Sequence, residues 1–66
     1  MFTITYMFTF EKVGIRSPVR KTYNVKNGEE AETQAQKYII SERRYGWECL
    51  EYHVEEIRQE SGGEVF

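Results

Sequence analysis

The single histidine, His53, has Glu51 and Glu55 two residues to either side. Side chains of an extended strand alternate between faces, so these three would share one side. An imidazole between carboxylates is a set that can ligate a metal or exchange a proton. Strand neighbours two apart, however, lie roughly 6.5–7 Å from one another, too wide for a tight metal shell without ligands from elsewhere. Cys49 falls on the same side of that strand reading, but no second Cys or His completes a zinc spacing. A Cys–His nucleophile pair needs a convergence that one strand does not supply. No P-loop, G-x-G-x-x-G or G-x-S-x-G is present, and Gly62-Gly63 reads as a turn. The set is read as a solvated sheet face. No catalytic residue, metal or cofactor is expected.

Charge is the next candidate. Lys12, Arg16, Arg20, Lys21 and Lys26 occupy a stretch without an acid, whereas from Glu48 to Glu64 there are six glutamates and one base, Arg58. The first group predicts a basic edge, with Arg16, Arg20, Lys21 and Lys26 as phosphate-contacting candidates. Arg43 and Arg44 would add to it. The second group predicts an acidic edge, with Glu51 and Glu55 as candidates for meeting a basic partner. A net charge of −2 opposes approach to a polyanion. The basic hairpin is equally read as charge that keeps a sheet edge soluble. Tyr45 and Trp47 flank Gly46 and are candidate anchors, since Tyr and Trp are enriched at binding hot spots. The alternative for Trp47 is that it closes the end of the core.

These residues need elements to position them. Phe2, Ile4, Tyr6, Phe8 and Phe10 alternate with Thr3, Thr5, Met7 and Thr9, which predicts a half-buried strand with an aromatic face. Positions 11–17 read as a loop punctuated by Gly14 and Pro18. A second strand follows over 19–26, in which Val19, Lys21, Tyr23 and Val25 alternate with Arg20, Thr22, Asn24 and Lys26. Val19, Tyr23 and Val25 face the core, and Pro18 is tolerated at the strand's start, where a missing N–H need not join a ladder. Asn27 is suited to cap a helix, with Glu30 at capping-box spacing. Ala31, Ala35, Tyr38 and Ile39 mark its buried face, and Gly46 suits its C-terminal turn. Positions 47–59 fit either a strand or a narrow helical stripe, and the strand is preferred. In it, Leu50, Tyr52 and Val54 share one face. A turn at 61–63 follows, with Val65 and Phe66 either folding back as a further short strand or forming a loose tail.

A chain of 66 residues is read as one domain, 1–66, burying only about 60% of its unfolded surface. Ten aromatic residues (five Tyr, four Phe, one Trp) thicken that small core. Room for an enclosed substrate cavity is scarce, which argues against an enzyme. One cysteine, no basic segment ahead of the apolar N-terminal residues and no run near the ~20 apolar residues of a membrane helix lead to an expected cytoplasmic, reducing setting without membrane contact.

The expected fold is α+β, in the order β-β-α-β with an optional last strand. One helix packs on a three-stranded, mainly antiparallel sheet of strand order 2-1-3, with the most apolar strand in the middle. With a hairpin before the helix and a strand after it, Thr33-Gln34-Ala35-Gln36-Lys37 and Ser41-Glu42 resemble the helix of small phage and mobile-element proteins, the anti-CRISPR proteins above all. That resemblance implies a non-catalytic inhibitor of a host nuclease complex, with a protein or ribonucleoprotein as partner. It carries no residue roles. Direct nucleic-acid binding through the hairpin at 12–26 is the alternative function, and pairing of sheet edges between two copies is a further expectation.

Overall fold

The computed structural model describes residues 1–59. The turn expected at 61–63 and the further strand or loose tail at Val65 and Phe66 lie outside these residues. β1 (Phe2–Lys12), β2 (Ile15–Val25), α1 (Gly28–Arg43) and β3 (Glu48–Gln59) follow in chain order. The strands form one antiparallel sheet of order β2-β1-β3, so the α+β architecture is the expected one. β2 pairs along β1 from Phe2↔Val25 to Lys12↔Ile15, and β3 pairs from Phe2↔Gln59 to Glu11↔Glu48.

The expected loop at 11–17 is a correction. Both strands run on until only Val13 and Gly14 are left between them. Their φ angles of 50° and 80° give a two-residue turn of the primed type, whose twist matches that of the strands. Pro18, expected at the start of the second strand, lies inside it. It sits within β2 opposite Thr9, on an edge strand that tolerates a missing N–H when the position faces outward.

The helix is delimited as its sequence implies. Asn27 Oδ1 accepts the Glu30 N–H at 2.9 Å, and the Glu30 carboxylate in turn accepts the Lys26 N–H at 2.8 Å. This is a capping box displaced by one residue, and Glu29 and Glu30 lie at the positive end of the helix dipole. At the other end, Gly46 N–H donates to Arg43 O and Trp47 N–H to Glu42 O. That bond pair needs a left-handed residue, and Gly46 supplies it with φ 91°.

The core is one layer between helix and sheet. Ile4, Tyr6, Phe8, Phe10 and Val25 come from the sheet, and Ala31, Ala35 and Ile39 from α1. Phe8 is wholly enclosed, with ring centroids of Tyr6, Phe10, Tyr38 and Tyr52 at 5.1–5.9 Å. Ala31 and Ala35 are also fully buried, and their small side chains let the helix approach those rings closely. Because α1 links the end of β2 to the start of β3, it crosses from one sheet edge to the other.

Two backbone positions generate a test. Val13 is β-branched, 91% exposed and held at positive φ with no packing in return. Val13→Asn should raise stability by about 1 kcal/mol, whereas Gly46→Ala should lower it by about the same amount. Urea denaturation of the three proteins checks this. A destabilised Val13→Asn protein would contradict the turn geometry.

Candidate binding surface

Among the described residues, β1 has neighbours on both sides, and the backbone groups without a strand partner lie on the outer edges of β2 and β3. The two-residue turn makes Lys12 and Ile15 a hydrogen-bonded pair, after which bonded and non-bonded pairs alternate. Even-numbered β1 residues therefore bond to β2 and odd-numbered ones to β3. It follows that Arg16, Pro18, Arg20, Thr22 and Asn24 turn their backbone outward from β2, while Tyr52 and Val54 do so from β3.

The two edges differ in chemistry. On β2, Pro18 deletes one of the outward donors, and Arg16 and Arg20 surround it, which are devices that discourage pairing. β3 has no proline and exposes Leu50, Val54 and Ile57. Beside it runs a groove of about 570 Å³. Gln36, Ile39 and Arg43 form its α1 wall, and the stretch from Glu48 to Tyr52 forms its β3 wall. An exposed strand edge beside a helix-walled groove is the geometry that accepts an added extended peptide.

β3 departs from simple alternation at two places. Its register with β1 shifts between Thr9 and Phe10 and again between Thr5 and Tyr6, leaving Leu50 and Glu55 as the extra residues. The expected face assignments change accordingly. Cys49 lies opposite Phe10 and packs on the core, instead of sharing the face of Glu51 and His53. Burial pushes its thiol up, the opposite of what a nucleophile needs. Glu51 lies opposite Thr9, His53 opposite Met7 and Glu56 opposite Thr5, so Glu56 takes the ladder position expected of Glu55.

Glu55 instead reaches across the open face to Arg20, on the far strand. Arg20 Nε and Nη2 lie 2.6 and 3.1 Å from the two carboxylate oxygens, a two-pronged contact over the central strand. The hydrogen bond with Arg20 holds the Glu55 carboxyl below its usual range. Arg16 lies 3.8 Å from Glu11 on the same face. Lys21 points to the other face, its ammonium 4.8 Å from the Tyr38 ring centroid. Lys26 lies beyond β2, at the helix entrance. The structure thus brings Arg16 and Arg20 together on one face and separates Lys21 from them. Tyr45 is exposed, while Trp47 is half-buried against the core with the Lys12 ammonium 5.6 Å from its ring.

One cluster escaped the sequence reading. The Glu32 carboxylate accepts from Tyr52 Oη, from Gln36 Nε2 at 3.0 Å and from Tyr6 Oη at 3.3 Å. It ties α1 to β1 and β3 and fixes Tyr52 at the groove wall. The i, i+4 spacing of Glu32 and Gln36 was the available signal. Hydrogen bonds from Tyr52, then Gln36, hold the Glu32 carboxyl below its ordinary value. The bond to Glu32, ahead of burial, pushes Tyr52 up. Burial, then the Glu32 charge, pushes Tyr6 up to about 12.

Among the described residues no group of three or more potential metal ligands converges, and no helix is long and apolar enough to cross a membrane. Comparison with family models, curated proteins and solved structures finds no match.

The Glu32 cluster has a pH signature. A carboxyl whose folded value is lowered stabilises the fold above its unfolded value, near 4.3, and the gain is lost as pH falls through the folded value. Tyr6 works at the other limit: its raised value stabilises below about pH 10, and the gain is lost as pH rises towards 12. Thermal melts from pH 3 to 11 should fall at both ends, and Glu32→Gln should flatten the acid limb. An unchanged acid limb would remove Glu32 from the account.

Proposed function

We propose that this is a non-catalytic binding protein that takes up an extended segment of a partner protein along the outer edge of β3. The observation that supports this reading most is the difference between the two edges. β2 is blunted by Pro18 and cations, while β3 joins free backbone groups, exposed Leu50 and Val54 and an adjoining groove. The raised Cys49 thiol and the burial of that residue against the core fit a structural part better than a catalytic one. The resemblance of the helix to those of anti-CRISPR proteins adds a sharper form of the same reading. In that form the captured segment belongs to a nuclease or ribonucleoprotein complex, and occupying it blocks the complex. Direct nucleic-acid binding draws less support, because Arg16 and Arg20 already face Glu11 and Glu55 while Lys21 lies on the other side of the sheet.

Selection of a displayed library of random linear peptides against the intact protein tests the reading. Enriched peptides should shift the amide resonances of Tyr52 and Val54 and should lose binding to a Val54→Pro variant. That change removes an outward N–H and spares the bonds to β1, so circular dichroism should show the fold retained. Peptides that shift only residues of β2 or the open face would overturn the assignment of β3.

A further inference from the structure

The site fixes the pattern of the segment it accepts, on the reading that β3 receives an added strand. Side chains of such a strand stand directly beside those of β3, alternating between the helix side and the open face. On the helix side they meet Tyr52, Val54 and Ile57. Val54 is 44% and Ile57 62% exposed, so this apolar row has surface left to cover. On the open face they meet Glu51, His53 and Glu56, with the extra Glu55 beside them. Glu55 is held by Arg20 and Glu56 by Arg58 at 3.1 Å. Glu51 has no such cation among the described residues.

From this arrangement we infer that the partner is a protein segment in which apolar residues alternate with Lys or Arg, a cation lying over Glu51 and apolar residues beside Tyr52 and Val54. An apolar residue beside Val54 gains burial, and a cation beside Glu51 gains an opposite-charge cross-strand pair. A segment of reversed polarity sets like charges side by side and is rejected. The same rule disfavours a second copy of β3 as occupant, because antiparallel pairing of the two acidic edges would oppose glutamate to glutamate. The extra residues Leu50 and Glu55 bound the regular stretch, so recognition centres on Glu51 to Val54, between them.

Three synthetic peptides test this: one alternating Lys with Val, one alternating Glu with Val, and one with the Lys and Val residues separated into two blocks. Fluorescence anisotropy of labelled peptides with the intact protein gives the affinities, and amide shifts locate them. The alternating Lys–Val peptide should bind at least about tenfold more tightly than either of the others, with a preference that weakens in salt. A Glu51→Lys protein should prefer the Glu–Val peptide. Equal binding of the two alternating peptides at Tyr52 and Val54 would overturn the charge pattern and leave strand addition in place. Equal binding of the block peptide would reduce the effect to non-specific attraction and overturn the inference. Failure of all three to shift Tyr52 or Val54 would overturn both the inference and the reading beneath it.

Discussion

Phe8 has no accessible surface, and the rest of the molecule follows from keeping it so. It stands on the middle strand, where both strand neighbours are needed to cover its flanks and only a helix can cover its face. Tyr6 and Phe10 stack beside it on β1, Tyr52 stacks from β3, and the Tyr38 ring meets it edge-on from α1. Ala31 and Ala35 make that approach possible, since larger side chains there would lift the helix from the rings. The amphipathic alternation of β1 is therefore the constraint, and the sheet order is its consequence.

Covering β1 uses up its hydrogen-bonding capacity and sends the remaining capacity to the two edges. Those edges inherit different chemistry from the sequence. β2 carries Pro18 between Arg16 and Arg20, whereas β3 carries glutamates on one face and apolar residues on the other. The helix crosses from the β2 edge to the β3 edge and walls a groove along the first half of β3. The Glu32 cluster keeps the Tyr52 end of that wall in place. Fold and binding surface thus share the same parts: Tyr52 closes the core with its ring and shapes the groove with its hydroxyl.

Much of the fold was legible in the residues because its signals are local and redundant. The period-two pattern of β1 is uninterrupted over nine residues, from Phe2 to Phe10. Asn27, Glu30 and Gly46 mark the helix ends with bonds that the structure contains. The strand order 2-1-3 followed from placing the most apolar strand in the middle. The turn was less legible, because Pro18 and Gly14 together suggested a loop, while an edge strand tolerates the proline. The face assignment of β3 failed at Cys49, and the ladder position at Glu55, for a different reason. An extra residue in a strand shifts alternation by one, and its position is set by pairing with β1, not by β3 alone. The alternation of β2 separated Lys21 from Arg20, but the contacts that each cation makes were not legible. That Arg20 would span the sheet to Glu55 while Lys21 covered Tyr38 depends on geometry that no run of cations reveals.

The central claim is that the β3 edge is free while its other side is bound to β1. Residue-resolved amide hydrogen exchange of the dilute protein tests it without any partner. Glu51 and His53, whose N–H groups point to Thr9 and Met7, should be protected. Tyr52 and Val54, between and beside them, should exchange rapidly. Protection alternating in this way would establish an edge open to an incoming strand. Strong protection of Tyr52 and Val54 in the isolated protein would contradict the account, because it would mean that the edge is already occupied.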